Sequence, residues 1–132
     1  MAAGDLPFLL IARKDDGLLV GKCGLSRIET ASAPKPLRGQ MQIGWTLRAD
    51  CWGQGYAGEA ARAMMAHAFD TLGCAVLYSQ TSHANHRSWR LMERLGMVRC
   101  ADLDYNDPAY PRDENPTIVF AIARDRWQAA RG

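Results

Sequence analysis

Residues 40–48 alternate along the chain. Met41, Ile43, Trp45 and Leu47 fall on one side, and Gln42, Gly44, Thr46 and Arg48 on the other. That period of two marks a strand with one buried face. Residues 49–55 break the pattern, and a helical period replaces it: Ala57, Ala61, Met64, Ala68 and Leu72 recur at steps of three and four, with Ala60 and Met65 widening the stripe. Gly73 follows as a natural C-terminal cap, and residues 75–82 are again strand-like. This strand-helix-strand succession constrains the fold more than any other feature. It demands a crossover, with a parallel strand pair beneath the helix.

The flanking segments supply an antiparallel remainder. Residues 8–13 are a strand-like run, Lys14-Asp15-Asp16-Gly17 carries the Asp-Gly signal of a tight hairpin, and residues 18–28 return as a second strand. Pro34 and Pro36 mark residues 30–39 as a loop. Residues 88–95 form a short helix stopped at Leu95-Gly96; residues 98–103 and 117–123 are two last strands, joined by the Asp- and Pro-rich loop 104–116. The expected class is α+β, a mixed, mostly antiparallel sheet with one crossover, in a single domain of residues 1–132.

A chain of 132 residues, 48% hydrophobic, can bury a core without disulfides. Sixteen Lys and Arg against fourteen Asp and Glu leave a net charge of +2, which gives no electrostatic ground for broad nucleic-acid or membrane binding. The apolar run at residues 8–12 is too short to span a bilayer and lacks signal-peptide flanks, so a cytoplasmic location is expected. Cys23, Cys51, Cys74 and Cys100 form no CxxC pair and read as reduced, mostly buried residues. His83 and His86 make an HxxH without a third ligand, so no metal is expected.

Chemistry concentrates in Cys51-Trp52-Gly53-Gln54-Gly55-Tyr56-Ala57-Gly58-Glu59-Ala60, between the alternating strand and the helix. Glycines allow a tight turn and close approach of a ligand to the backbone. The first helical turn offers unbonded N–H groups and the positive dipole end, which suit a phosphate. A connection in which Gly53 and Gly55 serve turn geometry alone is equally compatible. No Walker pattern is present. Gly53, Gly55 and Gly58 match the GxGxxG spacing, but the preceding strands are antiparallel and the acidic residue about twenty positions on is missing.

Four stretches together resemble the GNAT N-acetyltransferase superfamily: Ile43-Gly44-Trp45-Thr46-Leu47, Trp52-Gly53-Gln54-Gly55-Tyr56-Ala57, Asn85-His86-Arg87-Ser88 and Leu91-Met92-Glu93-Arg94-Leu95-Gly96-Met97. The chain is most similar to the branch containing ribosomal-protein N-terminal acetyltransferases. The closing run from Phe120 to Trp127 resembles that branch's last strand. The resemblance implies acetyl-CoA as co-substrate and no metal. The diphosphate would lie on the backbone of Gln54, Gly55, Tyr56, Ala57 and Gly58, next to Gly53. Pantetheine would lie where the strand ending at Leu47 splays from residues 75–82, bonded to backbone groups near Thr46, Leu47 and Arg48. Trp52 stands where the family consensus has Gln or Arg, as is common in this branch.

The implied reaction is direct attack of an amine on the thioester. Ser88 is the candidate proton donor to the leaving thiolate, since Met92 stands where many relatives carry Tyr. Ser88 could equally bond the backbone of its own helix turn. Asn85 is a candidate cofactor contact and also a candidate helix cap. Gln42 occupies the acceptor-facing position where relatives often have Glu, and an amide takes no proton at neutral pH. The family usually begins with a strand and two helices that shape the acceptor pocket. Only seven residues precede Phe8, so those elements are expected to be missing, with acceptor selection altered, the chain truncated or a partner completing the site. Two readings stand: an active N-acetyltransferase, or an acetyl-CoA-binding sensor or subunit. An exposed sheet edge would favour a homodimer. Asp104, Asp107, Asp113 and Glu114 in the last loop suit either a cationic amine or simple solubility.

Overall fold

A computed structural model describes residues 9–131. Its six strands are β1 (Leu9–Ala12), β2 (Leu19–Arg27), β3 (Met41–Leu47), β4 (Val76–Ser82), β5 (Val98–Arg99) and β6 (Thr117–Ala123). They form one sheet in the order β1-β2-β3-β4-β6-β5. The helices are α1 (Tyr56–Ala66), α2 (His86–Arg94) and α3 (Arg124–Arg131). Neighbouring strands are antiparallel except β3 and β4, which run parallel with α1 as their crossover. The mixed α+β sheet anticipated from the sequence is therefore present. The expected start of the first strand at Phe8 lies outside the described residues. Among the described residues, no helix is long and apolar enough to cross a membrane.

Strand alternation divides the interior into two layers. On the face covered by α1 and α2, Leu25, Ile43, Met65, Phe69, Leu77, Met92 and Ile122 form the main core. On the other face Ile28, Ala33, Leu37 and Val119 make a smaller cluster, with Tyr78, Leu103 and Tyr105 half-buried against it. Consecutive residues thus serve opposite layers, as Leu77 and Tyr78 do.

Three local expectations change. The helix does not keep a constant period to Leu72: after Ala66 it widens into a π turn, His67–Thr71, closed by the Leu72 N–H on the His67 carbonyl at 3.0 Å. Within that turn Ala68 and Phe69 are both fully buried in the core. The strand expected over residues 98–103 ends at Arg99. The Arg99 guanidinium binds Asp104 at 2.6 Å, and the same carboxylate oxygen accepts the Val119 N–H at 3.2 Å, which folds the chain back through a 3-10 turn. Finally, the run from Phe120 to Trp127 is not all strand. The sheet ends at Ala123, and Arg124–Arg131 is helical. Its inner face is anchored by Trp127, which stacks on Phe69 with ring centroids 4.9 Å apart.

Candidate active site

The glycine-rich turn delivers the chain into α1 with its first amides unbonded. Gly53 and Gly55 have φ of +80° and +82°, left-handed values that an L side chain adopts only with strain. No atom lies within 4 Å of a Cβ added at either position, so backbone conformation and not crowding demands glycine there. Gly55 is the N-cap and provides no side-chain acceptor. The first helical bond is the Glu59 N–H on the Gly55 carbonyl, at 3.0 Å. The amides of Gly55, Tyr56, Ala57 and Gly58 therefore have no acceptor within the helix. At Gly58 an added Cβ would lie 3.1 Å from the flexible Arg62 side chain and in ordinary contact, 3.5 Å, with Leu91 of α2. The Gln54 side chain stays in the turn, its Nε2 donating to the Asp50 carbonyl at 3.5 Å. Tyr56 contacts the Arg13 guanidinium and so ties the first hairpin to α1.

Beside this turn the sheet opens. Parallel pairing between β3 and β4 is confined to Gln42 opposite Tyr78. One clamp on each face closes that end. On the core side the buried Ser79 hydroxyl donates to the Ile43 carbonyl at 2.8 Å. On the other side Gln80 Nε2 donates to Gln42 Oε1 at 2.9 Å. Beyond the clamps the strands carry no further register. The Arg48 N–H donates to the Val20 carbonyl at 2.7 Å, which sets the alternation. Gln42, Gly44 and Thr46 turn their backbone groups to β2, and Trp45 and Leu47 turn theirs toward β4 and the gap.

That register corrects the expected pantetheine contacts. Both backbone groups of Arg48 are engaged, its carbonyl accepting the Cys51 N–H at 2.9 Å, so they are not exposed. Thr46 faces β2 through its backbone. The Leu47 carbonyl accepts from the Trp52 indole at 3.2 Å, leaving its N–H directed at the gap. Trp45, unmarked in the sequence, turns its main-chain groups toward the same gap.

The start of α2 forms the far wall. The Asn85 side chain caps the helix, accepting the Ser88 N–H at 3.4 Å while its Nδ2 donates to Thr81 Oγ1 at 3.1 Å. Ser88 is half-buried and precedes Leu91 and Met92 by three and four residues. Both of those are buried in the core shared with α1. Ser88 thus shares the inner face of α2. Arg87 was legible only as part of a motif, yet its guanidinium lies 4.1 Å from the centroid of the Trp52 ring, next to the glycine turn. The Trp52 indole therefore links the end of β3, the turn and α2.

Gln42 and Asn85 line a cavity of about 440 Å³ with Gln80, Tyr105 and Asp107. The Tyr105 hydroxyl donates to Gln80 Oε1 at 2.7 Å, extending the amide pair into a relay, and burial pushes its pKa above the usual phenol value. Thr46, Leu47 and Arg48 border a different, shallower cleft with Leu10 and Leu19. The candidate residues thus divide between a turn-and-gap region and a cavity on the opposite face. All four cysteines are unpaired. Burial pushes the Cys23 thiol up to about 11 and raises Cys51, Cys74 and Cys100 as well. They are protonated at neutral pH and poor nucleophiles.

Known proteins share this fold. A family model described as an acetyltransferase (GNAT) domain matches residues 2–98. FsC-acetyl coenzyme A-N(2)-transacetylase of Aspergillus fumigatus is 31% identical over 115 residues, 85% of this chain and 48% of the relative. The chain spans about half the length of the curated relatives it matches. An acetyltransferase structure from Agrobacterium tumefaciens superposes with a TM-score of 0.66 at 30% identity, covering 87% of this chain and 59% of that one. The ribosomal-protein-S5-alanine acetyltransferase of Vibrio fischeri shares the fold with a TM-score of 0.68 at 16% identity, over 88% of this chain and 60% of that one. An interrupted parallel pair beside a glycine-opened helix is thus accompanied by a sequence match over most of the chain, and the chain belongs to the GNAT acetyltransferase family.

Proposed function

We propose that this chain carries the catalytic core of an N-acetyltransferase that moves the acetyl group of acetyl-CoA to a primary amine of a small molecule or a protein N-terminus. The supporting observation is the adjacency of the open β3–β4 ladder to the uncapped start of α1. The amides of Gly55 to Gly58 suit a diphosphate, helped by the dipole of α1 and by Arg87 above Trp52. The open Trp45 backbone and Leu47 N–H suit hydrogen bonding to pantetheine amides, which supports this reading. The Aspergillus relative is named for an N(2)-transacetylation, which supports an amine acceptor.

Acetyl-CoA supplies an acetyl group activated as a thioester. With every thiol held protonated, the residues here favour direct transfer over an acetylated cysteine. Ser88 donates its hydroxyl proton to the departing sulfur. Gln42 positions the acceptor through its amide and removes no proton, so the amine reaches the site neutral or loses its proton to water.

Ser88→Ala is expected to lower kcat by about 10²-fold or more, the usual range for a general acid, with coenzyme A affinity within about twofold. Steady-state assays of CoA release and calorimetric titration check the two halves. An unchanged kcat would return Ser88 to the role of a backbone-bonding turn residue. The lock of Gln42 onto Gln80 favours a second reading, a module that binds acetyl-CoA without catalysis. Binding without CoA release across a panel of amines would establish that reading.

A further inference from the structure

The cavity on the sheet face opposite α1 and α2 has an asymmetric charge. Among the described residues that line it, the charged side chains are Asp107 and Glu114, and no Lys, Arg or His takes part. Asp107 is not an ordinary solvated loop residue: it is 8% exposed. Its Oδ1 accepts the Ala109 N–H at 3.0 Å, and its Oδ2 has no donor among the described residues. It is not a member of the ion pairs Arg13–Asp16, Arg48–Asp50 or Arg99–Asp104. A buried carboxylate oxygen without a donor is an open position that a ligand's N–H groups can fill.

The loop holds Asp107 in this state. Asn115 Oδ1 accepts the Asp107 N–H at 2.8 Å, and Asn115 Nδ2 donates to the carbonyls of Asp107, Tyr110 and Pro111 at 3.0, 3.3 and 3.2 Å. One side chain thus staples both ends of the segment that carries the carboxylate. Asp104, nearby in sequence, is by contrast neutralised by Arg99. The opposite wall is neutral and hydrogen-bonded within itself, through Tyr105, Gln80 and Gln42. Burial keeps the Tyr105 phenol protonated, and the Asp107 charge adds to that effect. A pinned carboxylate with one oxygen left open, facing a neutral polar wall, is complementary to a cation that brings its own N–H donors.

Resting on the acetyl-transfer reading above, we infer that Asp107 is a specificity-determining residue that holds the second ammonium group of a diamine acceptor, with Glu114 adding charge in the same cavity. The free amine of such an acceptor extends past Gln42 toward the gap, while its far ammonium supplies the cation that Asp107 lacks.

Two measurements on the full chain test this. In acetyl-transfer kinetics, kcat/KM for 1,5-diaminopentane should exceed that for pentylamine by at least tenfold, and Asp107→Asn should reduce this ratio to below threefold. Asparagine preserves the Oδ1 acceptor for Ala109, and far-UV circular dichroism confirms folding; Glu114→Gln should reduce the ratio by a smaller factor. Calorimetric titration with 1,5-diaminopentane should give saturable heat that Asp107→Asn abolishes. Transfer to pentylamine and the diamine at equal efficiency, an unchanged preference in Asp107→Asn, or no diamine binding would each overturn the assignment. Diamine binding lost in Asp107→Asn without acetyl transfer to any amine would uphold Asp107 and defeat the catalytic reading instead.

Discussion

Gly55→Val is expected to weaken coenzyme A binding by about 10- to 100-fold, roughly 1.4–2.8 kcal/mol, while the chain still folds. Gly55 holds φ at +82° with nothing within 4 Å of an added Cβ. The penalty is therefore one of conformation: about 1–2 kcal/mol for an ordinary L residue in the left-handed region, and more for a β-branched one. The turn relieves this strain by rotating, and the amides of Gly55 to Gly58 then no longer converge. Gly39 supplies a matched control. Its φ is +81°, it too has nothing within 4 Å, and it lies in the loop before β3. Gly39→Val should lose comparable stability and keep coenzyme A affinity within about twofold. Equal effects of the two variants on affinity, measured by calorimetry, would remove the special role of the turn.

Phe69→Ala should lower the free energy of unfolding by about 3–5 kcal/mol, the usual cost of deleting a buried aromatic ring. Phe69 is fully buried, and its stacking partner Trp127 anchors α3. The deletion thus leaves a cavity under the sheet and loosens the last helix as well. Val98→Ala, at a side chain 49% exposed, should stay within about ±0.5 kcal/mol. Urea denaturation of both variants provides the comparison. A loss below about 1 kcal/mol for Phe69→Ala would mean that this ring is not part of a close-packed core.

The part of the fold written in local periodicity was legible from the sequence. The alternation over Met41 to Leu47, the glycine break and the small-residue stripe of α1 each declare themselves within a few residues, and together they dictate the crossover. The π turn was hidden because Phe69 follows Met65 by four residues and Leu72 follows Phe69 by three, so the apolar pattern shows no break after Ala66. α3 was hidden for a different reason: Arg124, Asp125 and Arg126 are strongly polar, and Trp127 alone marks the inner side. At the site, the residues of the turn were identifiable because glycine and a helix start have a chemistry of their own. The clamps were not, since Ser79–Ile43 and Gln80–Gln42 join residues 36 and 38 positions apart. The burial of Asp107 was equally invisible, because it depends on Asn115 folding the loop onto itself. The alternation even misdirected the backbone contacts. Thr46 and Arg48 share one side of the alternation, but the Thr46 backbone faces β2 and both Arg48 backbone groups are bonded, to Val20 and Cys51. That leaves the Trp45 groups and the Leu47 N–H toward the gap.

The most direct measurement is a pair of calorimetric titrations of the full chain, one with coenzyme A and one with pantetheine, which shares the thiol arm and lacks the diphosphate together with the phosphoadenosine it carries. Each charge-assisted hydrogen bond from a backbone amide contributes about 1.5–3 kcal/mol, so two or more of them imply a large difference. Saturable heat with coenzyme A, and affinity for pantetheine at least about 100-fold lower, is the expected result. Equal affinity for the two ligands, or no heat with coenzyme A, would contradict a diphosphate site at the start of α1.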